Sequence, residues 1–170
     1  MNETPAAAPK PADLLPHRDT MLLLDTVVEV DADHAVTETL VKTSWPTATA
    51  DGASSLLCVE LVAQTIGICN IWDLMRAHGE NTNKNGWLVA IKKAAFHVAT
   101  LPIGARLTIR AENGFSFELF REATGWVYWQ GEVIAEVVAQ IYQDETGVGA
   151  GAGFDAGGTV ANSGVSKNMP

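Results

Sequence analysis

Hydrophobic and polar residues follow two different periodicities in this chain. Residues 25–30 and 34–41 are short, partly alternating runs rich in β-branched side chains, with the turn-prone segment 31–33 between them. This pattern predicts a pair of β-strands. From Ser54 to about His78 there is neither proline nor alternation, and apolar residues recur at helical spacing around nearly the whole circumference. We therefore predict a long helix that the rest of the protein encloses.

The sequence after residue 86 has the pattern of successive strands. Runs rich in β-branched and aromatic residues alternate with short segments of turn-forming residues. We predict strands over 87–98, 105–111, 115–122, 126–130 and 133–142, with turns at 101–104, 123–125 and 131–132. Two strands, one buried helix and several further strands predict an α+β domain, an antiparallel sheet wrapped around one central helix.

The two ends of the chain differ from this middle part. Residues 1–12 carry three prolines and a run of alanines, and residues 145–170 are rich in glycine, with Phe154 as their only aromatic side chain. Such sequence buries too little apolar surface to offset the entropy of ordering it. We predict one domain over 13–144, a flexible N-terminus over 1–12 and a flexible tail over 145–170.

Composition and charge narrow the function classes. A chain of 170 residues suits one domain. A net charge of −9 argues against a nucleic-acid or anionic-membrane binder, since both partners attract basic surfaces. The best apolar run, 21–30, contains two acidic residues and is too short to span a membrane. No His, Cys or carboxylate cluster has metal-ligand spacing, so no metal is expected.

The two cysteines bear on the cellular compartment. Cys58 and Cys69 lie in one apolar stretch and lack CxxC spacing. This placement indicates reduced thiols in the core rather than a disulfide or a redox pair. A cytoplasmic location is the expectation that follows.

Three collinear segments resemble one enzyme family. Residues 14–25, LLPHRDTMLLLD, are similar to the "LPHR…LLVD" opening of the 3-hydroxyacyl-(acyl carrier protein) dehydratases. Residues 59–64, VELVAQ, are similar to the "xEAMAQ" segment of their central helix. Residues 90–96 and the LPIG segment at 101–104 resemble the strand and turn that follow. The resemblance covers most of 13–142 and implies the hotdog fold and a dehydratase that needs no cofactor.

One departure from the family pattern concerns the catalytic histidine. The family carries it in a "GHFPG" loop before the helix, and the matching residues 43–47, TSWPT, contain no histidine. The combination found here looks closer to a divergent branch, the dehydratase-like proteins of aryl-polyene and related lipid pathways. The resemblance therefore implies either another histidine as base or a loss of activity.

Glu60, Gln64 and His17 are the candidates that the resemblance selects. A carboxyl in the apolar run around Glu60 is costly to bury alone, so we expect it to be neutral or paired, and a neutral carboxyl suits a general acid. Gln64 lies one helical turn later and could hold this carboxyl or contact substrate. His17 could serve as the base, because imidazole accepts a proton near neutral pH. The alternatives are structural roles in the fold, the dimer seam and the loop, respectively.

Further candidates lie near the start of the helix and on the later strands. Ser54 and Ser55 stand where backbone amides at a helix N-terminus could polarise a thioester carbonyl, or where a side chain simply caps the helix. Trp45 fills neighbouring space and is a candidate substrate contact. A basic patch for an acidic carrier protein or for coenzyme A phosphates, with a solvated strand face as the alternative, could comprise Lys92, Lys93, Arg106 and Arg110.

These observations lead to one preferred function and two alternatives. The preferred function is dehydration of a 3-hydroxyacyl thioester of acyl carrier protein or coenzyme A to the trans-2-enoyl thioester, in fatty-acid or polyene-type biosynthesis. The first alternative is a silent hotdog subunit that binds acyl chains or partners an active dehydratase. The second is a hotdog thioesterase that uses Glu60 as base or nucleophile. The family closes its exposed sheet edges by pairing domains, so we expect a homodimer or a heterodimer with another hotdog protein.

Overall fold

The computed structural model describes residues 9–79, 86–117 and 120–143. Its helical elements are α1 (Pro11–Leu14), a single 3-10 turn (Asp19–Met21) and α2 (Leu57–His78). Its strands are β1 (Thr26–Val30), β2 (His34–Leu40), β3 (Ala53–Ser54), β4 (Gly86–Phe96), β5 (Thr100–Leu101), β6 (Arg106–Phe117), β7 (Phe120–Trp129) and β8 (Glu132–Gln143). This order matches the predicted succession of two strands, one long helix and further strands.

Six of the strands form one antiparallel sheet around α2. Their spatial order is β1-β2-β6-β7-β8-β4, so β1 and β4 are the two edges. The inward side chains of β6, β7 and β8 alternate with outward ones and meet the helix, as the pleat requires. The short pair β3–β5 lies beside the sheet and leads into the start of α2.

Helix α2 forms the centre of the hydrophobic core. Leu61, Ile66 and Leu74 are buried although they lie on different sides of the helix. This agrees with the predicted helix that is enclosed on nearly every side. By length and composition α2 is apolar enough to cross a membrane, so the expectation that 21–30 is the best apolar run is wrong. Most of α2, however, is buried inside the domain.

The helix begins later than predicted. Ser54 pairs with Thr100 in the β3–β5 ladder, and α2 starts only at Leu57. The hydroxyl of Ser54 accepts a hydrogen bond from the Leu56 amide at 3.3 Å. Gly79 ends the helix with φ +89°, a conformation that glycine adopts without steric cost.

The predicted turn at 123–125 is wrong, because these residues lie in the middle of β7. Gly125 packs against the helix instead of forming a turn. A Cβ added there would lie 2.9 Å from Cγ2 of Val62 on α2, and closer still to Cγ1. The absence of a side chain at Gly125 therefore lets the strand approach the helix closely, which is a known reason for a glycine inside a strand.

Of the two predicted domain limits, only the N-terminal one lies within the residues that the structure describes. Helix α1 begins at Pro11, and both Pro11 and Leu14 are buried, so packed structure starts two residues before the predicted boundary at 13. The tail predicted over 145–170 lies outside the described residues. Cys58 and Cys69 are free thiols in the core.

Candidate active site

A groove runs along one face of α2, between this helix, the segment that follows α1 and the strands β4 and β8. Its lining residues are Leu15, Pro16, His17, Glu60, Ala63, Gly67, Asn70, Ile71, Gly86, Leu88 and Ile141. The residues from α2 recur at helical spacing and so form a single stripe along the groove. Its empty space, including the part open to solvent, is about 630 Å³.

His17 and Glu60 face each other across this groove. The distance from His17 Nε2 to Glu60 Oε1 is 3.2 Å, and each side chain is about one third exposed, at 32% and 30%. A titratable base and a carboxyl are therefore in direct contact at a place that a ligand can reach. Glu60 is paired, which resolves the expectation that it is either neutral or partnered.

Gln64 holds the carboxyl of Glu60 from behind. Its Nε2 donates to Glu60 Oε1 at 2.8 Å and to the Met21 carbonyl at 2.7 Å. Its Oε1 accepts from the Leu23 amide at 3.1 Å. The side chain is 1% exposed and does not line the groove. Gln64 thus joins α2 to the segment that carries His17 and fixes one oxygen of Glu60.

The backbone around His17 is held by its neighbours. Arg18 Nη1 donates to the carbonyls of Leu15 and His17 at 2.6 Å each. Pro16 restricts the preceding backbone dihedral. His17 Nδ1 is buried and has no hydrogen-bond partner among the described residues. The nitrogen that faces Glu60 is therefore the one available for proton exchange.

Glu60 lies in the first turn of α2. Its Oε1 accepts from Gln64, while Oε2 has no partner among the described residues. The carboxyl therefore keeps one oxygen free for a ligand in the groove.

Ser54, Ser55 and Trp45 do not line this groove. The Ser54 amide donates to Thr47 Oγ1 at 3.2 Å, and the Ser55 amide donates to the Ala99 carbonyl at 3.2 Å. Both amides are thus engaged within the fold rather than free to polarise a carbonyl. Trp45 is 4% exposed and borders a separate surface recess. The groove therefore offers no support for the substrate-binding role predicted for these three residues.

The predicted basic patch is largely neutralised by acidic neighbours. Each of its four side chains lies within ion-pair distance of a carboxylate. The pairs are Lys92–Glu122, Lys93–Glu136, Arg106–Glu38 and Arg110–Glu112. This arrangement corresponds to the alternative of a solvated strand face. Within the ranges described above, no group of three or more potential ligands could hold a metal ion.

Sequence reasoning missed Gly67 and Asn70, which line the same groove. Both lie on the α2 face that carries Glu60, seven and ten residues later. Their helical spacing from Glu60 places them on the same face and would have allowed their prediction. Leu88 and Ile141 had no such signal, because their place in the groove depends on the pairing of β4 with β8.

Comparisons with known proteins agree with this architecture. The ApeP-like family model, described as ApeP dehydratase, matches residues 9–149. The dehydratase heterocomplex ApeI:P from Xenorhabdus doucetiae is similar in structure, with 23% identity, a TM-score of 0.72, and 81% of this chain and 92% of that chain covered. None of the curated protein sequences matches this chain.

More distant structures share the fold alone. A hypothetical thioesterase with coenzyme A from Streptococcus pneumoniae TIGR4 has 15% identity and a TM-score of 0.54, covering 69% of this chain and 83% of that chain. Thioesterase superfamily member 2 from Mus musculus has 15% identity and a TM-score of 0.53, covering 69% and 80%. Together with the sheet around one long helix, these likenesses confirm the predicted hotdog fold.

Proposed function

The chain belongs to the ApeP-like dehydratase family, and from this membership we propose that it removes water from a 3-hydroxyacyl thioester. The product is the trans-2-enoyl thioester, carried on acyl carrier protein or coenzyme A. The observation that carries the proposal is the contact between His17 Nε2 and Glu60 Oε1 in a groove open to solvent. It supplies a base and an acid to one point, as the reaction needs.

Each group has one task in the proposed reaction. His17 takes the proton from the carbon next to the thioester carbonyl. Protonated Glu60 gives its proton to the departing 3-hydroxyl group, the carbon–oxygen bond breaks, and the carbon–carbon double bond and water form. The step involves two proton transfers and no redox change, so the side chains of the chain suffice.

Direct contact between the two groups explains how the site is reset. After elimination, His17 carries an additional proton and Glu60 is a carboxylate. Because Nε2 and Oε1 are 3.2 Å apart, the proton can return to the carboxyl once product and water leave. Gln64 keeps Glu60 in place during this exchange by its hydrogen bond to the same oxygen.

The proposed assembly pairs two hotdog domains through β4. This edge strand exposes large apolar side chains, namely Trp87, Leu88, Val89 and Ile91. Leu88 also lines the groove, so a partner on β4 would border the active site. We propose a homodimer or a heterodimer with another hotdog protein, supported for the latter by the similar structure, which is a heterocomplex. We further propose a cytoplasmic location, in keeping with two free thiols.

That heterocomplex also supports a second candidate function, a subunit that is silent without its partner. A thioesterase would instead hydrolyse the thioester, with Glu60 acting either as a base that activates water or as a nucleophile that attacks the thioester. The three functions differ in their products, so one assay separates them.

The test of the acid–base pair uses two substitutions. His17→Ala and Glu60→Gln should each lower kcat for a 3-hydroxyacyl thioester by on the order of 10²–10⁴-fold. Since each group acts on a proton that moves only in the transition state, binding of the acyl chain should change little. Turnover is followed by enoyl absorbance, and circular dichroism checks the fold.

The matched controls are His97→Ala and Glu132→Gln, which alter exposed residues outside the groove. Both should retain the activity of the unaltered protein. Equal rates for His17→Ala and the unaltered protein would show that His17 is not the base.

A further inference from the structure

The groove continues beyond His17 and Glu60 along α2. Its floor there consists of small residues, Ala63 and Gly67, and it reaches Asn70 at the far part of the stripe. Gly67 is confined, because an added Cβ would lie 3.0 Å from Cδ2 of Leu15. Any larger residue at 67 would therefore narrow the passage from Glu60 to Asn70.

Asn70 is a buried amide with an unused donor. It is 2% exposed, and its Nδ2 has no hydrogen-bond partner among the described residues. A buried donor without a partner costs on the order of 1–3 kcal/mol. Most buried polar groups are satisfied by protein or water, so this donor, on a residue that lines the groove, is a candidate for a ligand contact.

The orientation of this amide is fixed by Asn113. Asn113 Nδ2 donates to Asn70 Oδ1 at 3.0 Å and to the Ala32 carbonyl at 3.1 Å. The oxygen of Asn70 is thereby occupied. Only its Nδ2 group remains for a ligand, and that group can donate hydrogen bonds but cannot accept them.

The spacing along α2 sets where on a ligand this donor would act. Asn70 follows Glu60 by ten residues, which corresponds to about 15 Å along a helix axis. An extended chain advances roughly 1.2 Å for each covalent bond, a third of the length of an extended residue. The donor therefore lies on the order of ten bonds beyond the reacting carbons.

We propose that Asn70 selects acyl chains that carry a hydrogen-bond acceptor, such as a carbonyl or ether oxygen, on the order of ten bonds beyond the reacting carbons. This inference rests on the proposed function, since it takes the groove as the acyl site. Asn70 is the specificity residue of the groove, while His17 and Glu60 perform the chemistry. A purely aliphatic chain leaves the donor buried and unpaired and so binds less well.

The test compares dead-end ligands and therefore does not depend on turnover. Saturated acyl-coenzyme A thioesters are prepared in pairs of equal length, one with a single ketone oxygen near the chain end and one without. Their dissociation constants are measured by isothermal titration calorimetry with the full chain. The ketone should bind about tenfold tighter at one position of the oxygen and not at others.

Two variants remove the donor in different ways. Asn70→Asp keeps the oxygen that Asn113 binds and replaces only the donor with an acceptor. Asn70→Leu removes both groups and serves if the buried charge of the first variant prevents folding. In either variant the preference for the ketone should fall to equality or reverse, while a short chain that does not reach position 70 should bind as before.

Equal affinities for the two ligands of every pair in the unaltered protein would overturn the inference. An unchanged preference in a folded Asn70 variant would also overturn it, as would loss of the dimer in that variant, which would show that the amide serves a subunit contact. Failure of the proposed function looks different. In that case no 3-hydroxyacyl thioester is dehydrated, whichever saturated ligand binds better.

Discussion

A single amide, Gln64, connects the two parts of the chain that form the site. Its three hydrogen bonds, to Glu60, Met21 and Leu23, use both hydrogens of the amide and one lone pair of its oxygen. The relation between Glu60 and Gln64 could be predicted from the sequence, because residues four apart share a helix face. The contact of His17 with Glu60 could not, since it depends on how segment 14–25 packs against α2.

Another residue of that segment gives the stability of the fold a pH dependence. Partial burial raises the pKa of Asp25. Hydrogen bonds from Lys42, the Leu40 amide and Thr39 together lower this pKa by a larger amount, so the net pKa is below its usual value. A lowered pKa in the folded state means that the charged form stabilises the fold. This contribution is present above about pH 4 and is lost as the pH falls through the folded-state pKa.

Asp25→Asn should therefore lower the free energy of unfolding at neutral pH, by at most about 1 kcal/mol because solvent screens a carboxylate that is 35% exposed. Urea unfolding at several pH values measures the difference, which should shrink below about pH 4. Asp51→Asn, at an exposed carboxylate without a side-chain partner in the described ranges, is the control. A difference that persists undiminished at low pH would contradict the assignment.

The close contact between α2 and β7 shows what local sequence patterns leave out. The segment Ala123-Thr124-Gly125 has turn composition, yet it continues β7 because Gly125 lies against Val62 of the helix. The composition of a segment shows where glycine allows the chain to turn. It does not show how closely another element packs against that glycine, which depends on the tertiary structure. The long helix itself was predictable, since its apolar positions are all within one segment.

Gly125→Ala should destabilise the fold by about 2–3 kcal/mol, because its Cβ would overlap the side chain of Val62. Urea unfolding measures the loss. Combining it with Val62→Ala should give a smaller loss than the sum of the two single substitutions, since the shorter side chain relieves the overlap. Gly86→Ala is the control, with its nearest contact at an ordinary 3.7 Å. Additive losses would show that the two residues do not compete for space.

The two edges of the sheet are unequal, and this difference bears on the whole molecule. Strand β1 has five residues, whereas β4 has eleven and exposes several large apolar side chains. Edge strands with such surfaces are sites of association. The sequence predicts that β4 is a strand but not that it is an edge, because the strand order depends on long-range pairing.

The protein should therefore sediment as a dimer or a higher even assembly at micromolar concentration. Val89→Glu on β4 should shift it towards the monomer of 18.1 kDa, because the carboxylate would be buried in the interface. The matched control is Val28→Glu on the opposite edge, where the valine is 53% exposed. Sedimentation of the unaltered chain at the monomer mass, or dissociation by Val28→Glu alone, would contradict self-pairing through β4.

The central claim, dehydration by this chain, is tested most directly by one assay that follows two products. The purified protein is given a 3-hydroxyacyl-coenzyme A thioester, and enoyl absorbance and free thiol are recorded together. We expect the enoyl signal to rise to equilibrium without release of thiol. Thiol release without the enoyl signal would identify a thioesterase. Activity that starts only after addition of a second hotdog protein would identify a silent subunit, and either result would contradict the claim.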